Sequence, residues 1–322
     1  SRYSGLCIAA FTAAGALDLS FGNGAGYSTQ SFPANTFAKA AAVQADGKLL
    51  FLGKQTETGF AVGGFVVRYS ENGIYDPAFG TPGFGMTKLT PFTSPILLDY
   101  GGIAVGSDGA IWVAGNGTGT QASLGYGLFG VLHKLNSQGV ADASFANNGI
   151  KYTPGVLFSD VAIQRDGKPI ILGSRVNAFT GTGESSSATL TRVLANGADD
   201  TSFSNDNGTR LYIYDRDKTA RPDKILLDSQ DRITFFGRHS VRTNIVPFCY
   251  LYGMRLMSDG NGDSTFGQGG WWTMLTEGPC NLANAQRDSD GKFLVTGPGP
   301  TYDTFPGVVF VMRLTANGNL DR

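Results

Sequence analysis

Short apolar runs alternate with clusters of Gly, Asn, Asp and Ser along the whole chain of 322 residues. One such pattern, a turn followed by an apolar run that ends in glycine, is "QADGKLLFLG" at 44–53. Related segments follow at 106–115, 164–173, 228–237 and 288–297. Apolar runs bounded by turn residues are typical of β-strands, and Asp-Gly between two of them predicts a hairpin with a type I′ turn. The copy at 228–237, "DSQDRITFFG", lacks the Asp-Gly order, which leaves its turn type open.

A second phrase lies between these copies and contains a Phe three residues after an Asp, as in "GALDLSFGNG" and "GNGDSTFGQGG". Its Phe residues are Phe21, Phe79, Phe145, Phe203 and Phe266. The two phrases together repeat about every 60 residues and enclose four apolar runs per period. Four meandering strands repeated in tandem are typical of propeller blades. The sequence therefore predicts an all-β fold, a β-propeller with five blades of four antiparallel strands in a single domain.

The predicted repeat units are 23–80, 81–146, 147–204, 205–267 and 268–322, and residues 1–22 add a terminal strand with its closing phrase. Within a unit, the first strand follows the Phe phrase, the next two flank the Asp-Gly turn, and the fourth carries a basic residue. The fourth strand occurs six times and the others five times. Either terminal strand is expected to complete the last blade. The surplus strand is expected to add a fifth strand, pair with a neighbouring molecule, or belong to a longer array.

A basic residue precedes the Asp of the Phe phrase by eight positions in five repeats. This constant spacing predicts an ion pair at each corner, with the Asp also accepting bonds from backbone N–H groups. The alternative, a ring of ligand-binding carboxylates, is less favoured because one residue type would have to serve every blade equally. The pairs are Arg68 and Asp76, Lys134 and Asp142, Arg192 and Asp200, Arg255 and Asp263, and Arg313 and Asp321.

These phrases resemble the delta-60 repeat family of large bacterial surface and secreted proteins. The resemblance rests on "FVVRYSENGIYDPAFG" with "QADGKLLFLG" and on "VMRLTANGNLD" with "DSDGKFLVTG", and it covers essentially the whole chain. It implies a β-propeller of bacterial origin and names no activity. The start at Ser1, without a charged and then apolar leader, favours a mature secreted product or an excised domain. We therefore expect the protein to be secreted or held at the cell surface.

Composition excludes several classes of partner. Charged residues make up only 16% of the chain, with 25 basic against 26 acidic. Nucleic acids and anionic membrane surfaces require a clustered basic excess, so neither is expected to bind. No apolar run reaches the roughly 18 residues that membrane insertion needs. Oligomeric state stays open. Of the three cysteines, Cys249 and Cys280 lie in one repeat and are the expected disulfide, against the alternative of three unpaired, mostly buried thiols.

Catalytic motifs are sparse. The two histidines, His133 and His239, adjoin no recognisable nucleophile motif, and the G-x-S-x-G pattern is absent. No catalytic residue is therefore assigned. A polysaccharide hydrolase would need two carboxylates that flank the scissile bond. Outside the repeat consensus, the carboxylates that could meet in a central channel are Asp99, Asp160, Asp215, Asp217 and Asp303.

One loop has the alternating oxygen ligands of a calcium site, namely Asp259, Asn261 and Asp263. Position twelve of this loop is Gly270, where a calcium loop has Glu. Sister copies of the loop show that most of it is the turn of the repeat itself. Calcium is accordingly a weak candidate, and no cofactor is expected.

Several insertions interrupt the repeat, and such insertions map to loops that often form a binding face. Aromatic residues there or on an adjacent first strand are Phe92, Tyr100, Phe179, Phe248, Trp271, Trp272, Tyr302 and Phe305. They could stack on sugar rings or a peptide, or else pack between blades. The sequence thus favours an adhesin-like binding module for a glycan or a protein. A polysaccharide hydrolase is the first alternative, and a structural spacer in a larger surface protein is the second.

Overall fold

The computed structural model describes residues 4–32, 35–57, 60–82, 84–92, 97–176, 185–204, 209–213, 218–241, 248–276, 282–298 and 309–321. Every regular element in these ranges is a β-strand, and none of them contains a helix that could span a membrane. The chain divides into two compact units, Ser1–Pro154 and Gly155–Arg322.

Unit 1 contains one pair of strands and two four-stranded antiparallel sheets. The terminal pair consists of β1 (Ser4–Ala9) and β2 (Tyr27–Phe32). Sheet 1 consists of β3 (Asn35–Val43), β4 (Leu49–Glu57), β5 (Phe60–Tyr69) and β6 (Met86–Leu89). Sheet 2 consists of β7 (Leu97–Val105), β8 (Ile111–Gln121), β9 (Gly125–Leu135) and β10 (Ile150–Pro154).

Unit 2 contains three antiparallel sheets. Sheet 3 consists of β11 (Val156–Ile163), β12 (Pro169–Val176), β13 (Ser185–Arg192) and β14 (Thr209–Ile213). Sheet 4 consists of β15 (Lys218–Leu227), β16 (Ile233–Val241), β17 (Phe248–Leu256) and β18 (Trp271–Thr276). Sheet 5 has three described strands, β19 (Asn284–Arg287), β20 (Phe293–Pro298) and β21 (Val309–Leu314). The described chain is therefore all-β, and sheets 1 to 5 are the five blades of the predicted β-propeller.

The boundaries of the sheets differ from those of the predicted repeats. The strand after each Phe phrase was expected to open a unit, yet β6 pairs with β5, the last strand of the preceding repeat. The same holds for β10 with β9, β14 with β13 and β18 with β17. Each complete sheet thus takes its fourth strand from the next sequence repeat. The point at which a sequence repeat begins is arbitrary. Strand pairing alone therefore determines which four strands form one sheet.

The two terminal strands have different neighbours. Strand β21 pairs with β20, and so fills the third position of sheet 5 from within its own repeat. Strand β1, the surplus copy, pairs with β2 over Ser4–Ala9. The described strands confirm the count of six for the strand that carries the basic residue: β1, β5, β9, β13, β17 and β21.

The turn between the first two strands of each sheet is not the predicted type I′ turn. In sheet 1, the N–H of Gly47 donates to the carbonyl of Gln44 at 2.9 Å, and the N–H of Gln44 donates to the carbonyl of Lys48 at 2.8 Å. Of the central residues only Gly47 has a positive φ, 81°. Type I′ requires a positive φ at two residues, so the prediction was wrong. A type I turn followed by one left-handed residue closes this longer loop.

The irregular fourth copy keeps the same turn. Asp231 takes the left-handed position with φ 58°, and its N–H donates to the carbonyl of Asp228 at 3.0 Å. Aspartate tolerates this conformation better than most residues other than glycine. Loss of the Asp-Gly order therefore leaves the turn type unchanged.

A substitution at the same turn of sheet 3 tests the need for glycine. We expect Gly167→Ala to lower the free energy of unfolding by about 1 kcal/mol, because φ is +83° and a β-carbon there would meet no atom within 4 Å. The cost then comes from the backbone alone. Gly262→Ala is the control, since a β-carbon there is equally unobstructed and its φ is not positive. Urea denaturation of both variants checks this, and equal effects would contradict it.

Consecutive sheets pack through two distinct faces. In β5, Val66 packs in one cluster with Leu98 and Tyr100 of the following sheet, whereas Phe65 and Val67 belong to the cluster that contains the terminal pair. We call the side toward the following sheet the leading face and the opposite side the trailing face. In unit 2, Leu190 of sheet 3 packs with sheet 4, and Leu251 of sheet 4 packs with sheet 5.

The Phe residues of the Phe phrases pack against turns of the following repeat. Phe203 is fully buried, and a β-carbon at Gly260 of the next repeat would lie 2.9 Å from its ring. The N–H of Ser204 donates to the carbonyl of Asp259 at 2.7 Å beside this contact. The same ring-on-glycine arrangement joins Phe21 to Gly73, Phe79 to Gly139, and Phe266 to Gly318. Within each unit, the Phe phrase thus joins one repeat to the next.

All five basic–acidic pairs that the spacing predicts are present as ion pairs. The shortest nitrogen–oxygen distances are 2.7 Å for Arg68 and Asp76, 2.8 Å for Lys134 and Asp142, 2.8 Å for Arg192 and Asp200, 2.7 Å for Arg255 and Asp263, and 2.5 Å for Arg313 and Asp321. Arg68 also donates from Nη1 to the carbonyl of Ser137 in the next repeat, at 2.8 Å. Asp76 accepts from the N–H of Ala78 at 3.0 Å, as an Asx turn does. These carboxylates therefore stabilise the junction between the strand that carries the basic residue and the turn that follows it.

Candidate functional site

The first strands of sheets 1 to 4 contain a β-bulge at one equivalent place. The residue before each bulge pairs with the glycine that closes the first sequence phrase: Ala38 with Gly53, Tyr100 with Gly115, Phe158 with Gly173, and Pro222 with Gly237. A β-carbon at Gly115, Gly173 or Gly237 would lie 2.5 to 2.6 Å from a carbonyl oxygen of the bulged strand. Glycine recurs here because the bulge brings the opposite backbone too close for a side chain.

The bulges lie where the first strands of neighbouring sheets converge. Within each unit, the first strands of consecutive sheets contact each other, namely β3 with β7, β11 with β15, and β15 with β19. The bulge residues are Lys39, Gly101, Ser159 and Asp223. Bulges redirect side chains and are frequent beside active sites. The part of the first strands that contains these bulges is therefore a candidate site in each unit.

In unit 1, half-exposed side chains form a cluster near these bulges. We call it the inner-edge cluster, and it consists of Phe37, Lys39, Lys54 and Asp99. Lys39 Nζ lies 2.9 Å and Lys54 Nζ 3.4 Å from Oδ1 of Asp99. The side chain of Asp99 is 44% exposed. Phe37 pairs with Lys54 across the two strands and is itself exposed. Exposed ion pairs of this kind contribute little to stability, so the cluster is free to change partners.

In unit 2 the equivalent segment of the first strands contains a buried carboxyl. Asp160 is 1% exposed, and its Oδ2 accepts from Lys224 Nζ at 3.0 Å and from the N–H of Ile225 at 3.1 Å. Its Oδ1 has no hydrogen-bond partner among the described residues. Burial raises the pKa of Asp160 above its ordinary value, and the nearby Lys224 opposes that rise. Burial and the contacts with Lys224 and Ile225 therefore act in opposite directions on the pKa of this carboxyl.

The bulge residue Asp223 is the second unusual carboxyl of unit 2. Its Oδ2 is buried without a hydrogen bond to any described residue, and Arg238 Nε lies 3.8 Å away. Burial raises the pKa of Asp223 to about 6, and Arg238 and Arg221 oppose the shift. A carboxyl that titrates near pH 6 is suited to donate or accept a proton near neutral pH.

The pKa of Asp223 makes stability depend on pH. Because the folded pKa lies above the ordinary value, this carboxyl destabilises the fold progressively as pH rises from about 4 to about 6. We expect Asp223→Asn to raise the free energy of unfolding by about 3 kcal/mol at pH 7.5 and to leave it unchanged at pH 3.5. Urea denaturation at the two pH values measures this. A gain of equal size at both would show that ionisation of Asp223 is not its cause.

A different concave surface lies beside β18, and we call it the Trp cleft. It has a volume of about 380 Å³ and is lined by Gly267, Gln268, Trp271, Trp272, Thr273, Gly318, Asn319 and Leu320. Trp271 and Trp272 are consecutive residues of β18, so their side chains point to opposite faces of the strand. Trp271 packs partly against the core shared by sheets 3 and 4, and Trp272 packs partly against the core of sheets 4 and 5.

The loop of the Phe phrase forms the floor of the Trp cleft. The N–H of Gln268 donates to the carbonyl of Trp271 at 2.7 Å, and the N–H of Gly267 donates to the carbonyl of Asn317 at 2.7 Å. Gly267 has φ +55°, and a β-carbon there would lie 1.9 Å from the carbonyl oxygen of Trp271. This tight loop exposes Gln268 while it keeps both indole rings partly covered. The cleft thus combines aromatic surface with uncharged polar groups.

Two of the predicted ligand-binding aromatic residues lie in the core instead. Phe92 and Tyr100 are buried in one hydrophobic cluster of unit 1, so no ligand can stack on them in this conformation. The hydroxyl of Tyr100 lies 3.2 Å from both the carbonyl of Leu89 and Nε2 of His133. Burial lowers the pKa of His133 to about 4, so this histidine is neutral near pH 7. Phe92 and Tyr100 pack the core between sheets, which was the alternative interpretation.

Most of the remaining candidates from the sequence analysis lie outside the residues that the structure describes. Phe179, Tyr302, Phe305, Cys280, Asp215, Asp217 and Asp303 lie outside the described residues, as do the side chains of Phe248 and Cys249 in β17. In the weak calcium loop, Asp259 accepts from the backbone N–H and the amide nitrogen of Asn261, and Asp263 accepts from Arg255 and Thr265. These oxygens therefore hold a turn and a corner, and the described residues contain no cluster suited to a metal.

Sequence reasoning missed Phe37, Lys39 and Lys54 of the inner-edge cluster and Gln268 and Asn319 of the Trp cleft. The glycine that closes each first phrase was a usable signal, since it marks the bulge that brings charged residues together. Nothing comparable in the sequence indicates that Asn319, near the end of one repeat, lies beside the loop of the preceding Phe phrase.

Comparison of the fold with solved structures finds similarities at low sequence identity. A protein of unknown function from Dyadobacter fermentans is 10% identical, with a TM-score of 0.55 over 88% of this chain and 80% of that one. A mannose phosphorylase from Leishmania mexicana is 11% identical, with a TM-score of 0.44 over 88% and 86%. An endo-arabinase from Bacteroides thetaiotaomicron is 11% identical, with a TM-score of 0.40 over 88% and 95%. No family model and no curated protein matches the chain. The similarity to the Dyadobacter protein extends to the fold alone.

Proposed function

We propose that this protein is a carbohydrate-binding β-propeller and that the Trp cleft holds the ligand. The observation that carries the proposal is the cleft itself, in which Trp271 and Trp272 adjoin the exposed polar residues Gln268, Thr273 and Asn319. An adhesin-like module of the delta-60 repeat class, secreted or exposed on a bacterial surface, is the biological setting that fits such a site.

The composition of the cleft matches the chemistry of a sugar. A pyranose has an apolar face of C–H groups that packs on aromatic rings, and a rim of hydroxyl groups. Amide side chains both donate and accept hydrogen bonds, as paired sugar hydroxyls require. All eight lining residues are uncharged. The cleft therefore favours a neutral glycan over a uronate or a phosphorylated sugar.

The test begins with an array of neutral and anionic glycans. For the best neutral ligand, we expect Gln268→Ala or Asn319→Ala to weaken binding about tenfold, the loss of roughly one hydrogen bond to the ligand. Both side chains are exposed, so folding should be unaffected. Trp272→Phe should weaken binding while it retains most of the packing.

Gln286→Ala is the matched control, because Gln286 is an exposed amide of unit 2 outside the Trp cleft. A glycan that binds with unchanged affinity to all three cleft variants would place the site elsewhere. A blank array would shift the proposal to a protein ligand or a structural spacer.

A second candidate function, hydrolysis of a polysaccharide, is favoured by one observation. Asp223 lies on a bulged first strand of unit 2, and burial raises its pKa to about 6. Glycosidases need one carboxyl that stays protonated as general acid and one that acts as base or nucleophile. In this reading, Asp223 is the proton donor and the inner level of unit 2 is the reaction site.

Release of reducing ends from soluble polysaccharides tests hydrolysis. We expect activity, if this candidate holds, to fall at least a hundredfold in Asp223→Asn, the usual effect of removing a general acid. Asp290→Asn, in an exposed turn of sheet 5, is the control and should retain full activity. Product formation that is equal in wild type and both variants would rule Asp223 out as the acid.

A further inference from the structure

The inner-edge cluster of unit 1 contains more positive than negative charge. Lys39 Nζ lies 2.9 Å and Lys54 Nζ 3.4 Å from the same oxygen, Oδ1 of Asp99. Among the described residues, Asp99 is the only carboxylate within ion-pair distance of either lysine. Two ammonium groups thus share one carboxylate. The lysine side chains are 30% and 20% exposed and that of Asp99 is 44% exposed, so solvent reaches all three.

The repeat itself does not require lysine at either position. Lys39 is the bulge residue of its sheet, and the bulge residues of sheets 2 to 4 are Gly101, Ser159 and Asp223. Lys54 follows the glycine that closes the first sequence phrase, and the residues at this position in sheets 2 to 4 are Asn116, Ser174 and Arg238. The bulge therefore forms with several kinds of side chain. Because exposed ion pairs also add little stability, folding does not account for the two lysines.

Exposed apolar side chains lie beside these charges. Phe37 is 55% exposed and lies opposite Lys54 in the register of β3 and β4. Leu97 is 50% exposed and precedes Asp99 by two residues on β7, as Phe37 precedes Lys39 on β3. Strands β3 and β7 contact each other. A ligand that has both an anionic group and an apolar face therefore fits this surface.

We propose that the inner-edge cluster binds a uronate residue of an acidic glycan, with the ligand carboxylate on the ammonium groups of Lys39 and Lys54. The C–H face of the pyranose then packs on the ring of Phe37. The ligand carboxylate replaces Asp99 as the partner of the lysines, and exposed ion pairs cost little to exchange. The single excess positive charge suits a carboxylate better than a doubly charged phosphate, which Asp99 would repel more strongly.

This site is independent of the Trp cleft. The Trp cleft belongs to unit 2 and is lined by uncharged residues, whereas the inner-edge cluster belongs to unit 1 and carries charge. The two sites therefore select sugars of different charge, and each can be tested by itself.

Calorimetric titration of the full chain with two acidic probes, oligogalacturonate and oligomannuronate, tests the proposal. We expect at least one of them to bind, and its methyl ester, which is the same sugar without the charge, to bind at least tenfold more weakly. Added salt should weaken binding of the acid, because the contact is a partly exposed ion pair.

Four variants assign the binding to the cluster. Lys39→Gln and Lys54→Gln should each lower the affinity about tenfold, the usual value of one hydrogen bond to a charged group. Phe37→Ala should lower it about fivefold through the lost contact with the sugar ring. Asp99→Asn should raise it about threefold, because it removes the carboxylate that competes for the lysines. A purely structural role of the cluster does not produce this gain.

Lys88→Gln is the matched control and should bind as the wild type does. Lys88 is an exposed lysine of unit 1 outside the inner-edge cluster, and its Nζ lies 5.4 Å from the ring centre of the exposed Phe84. Circular dichroism verifies that every variant folds.

Several results would overturn the proposal. They are the absence of binding to both acidic probes, equal binding of acid and methyl ester, and unchanged binding in both lysine variants. Oligoglutamate that binds as tightly as the oligouronate would assign the cluster to an acidic peptide instead. Loss of uronate binding in Gln268→Ala would place the acidic sugar in the Trp cleft.

Discussion

Replacing Arg255 by methionine is expected to lower the free energy of unfolding by about 3 kcal/mol, the usual cost of leaving one member of a buried ion pair uncompensated. The Arg255 side chain is 2% exposed. Its Nε donates to Asp263 Oδ2 at 2.7 Å, and its Nη1 donates to the carbonyl of Ala316 in the next repeat at 2.6 Å. The guanidinium also lies 5.1 Å from the ring centre of Phe266. Methionine preserves much of the packing volume, so the loss reports on charge and hydrogen bonds.

Arg313→Met is the matched control for this experiment. Arg313 makes the same ion pair with Asp321 at 2.5 Å, but its side chain is 55% exposed. An exposed pair contributes at most about 1 kcal/mol, so the control should lose much less. Urea denaturation of the two variants measures the difference. Equal losses would show that burial of the corner is not what makes Arg255 important.

Replacing Phe203 by alanine is expected to cost about 4 kcal/mol, the middle of the range for deleting a buried aromatic ring. Phe203 is 0% exposed and packs against sheet 4 within the core of unit 2. Its ring lies beneath the guanidinium of Arg192, 4.9 Å away, and covers the turn at Gly260. The variant therefore loses core packing and the link to the next repeat together.

The control for Phe203 is Phe84→Ala, because Phe84 is 59% exposed and its removal opens no cavity. That variant should change stability by less than about 0.5 kcal/mol. Thermal and urea unfolding of both proteins measure the effects. A small loss in Phe203→Ala would mean that the closing phrase does not join neighbouring blades.

Some features of this protein were readable from the sequence because they depend on local spacing. Arg255 and Asp263 meet because eight residues span a strand end and the following turn, and the same geometry recurs in every repeat. The count of strands followed from the number of phrases in the same way. The delta-60 resemblance stays a prediction, since no family model matches the chain.

Other features were not readable because they depend on strands that are distant in sequence. The bulge at Asp223 is visible only when β15 pairs with β16 and Gly237 meets the opposite backbone. Tyr100 was taken for a binding residue because it lies near an insertion, yet its pairing with Gly115 turns the ring into the core. The Trp cleft likewise joins the loop of one Phe phrase to the turn of the next repeat.

The sequence by itself determined the all-β class, the five-blade repeat, the recurring Phe of each phrase and the ion pair at each corner. All of these follow from periodic apolar positions and from contacts within about one strand and one turn. The tertiary structure alone decided which repeat supplies the fourth strand of each sheet, which aromatic rings are buried, and which carboxyls have raised pKa values. The reason is physical. Strand pairing, burial and desolvation depend on the neighbours that packing brings together, and a sequence repeat assigns the same local pattern to positions whose neighbours differ.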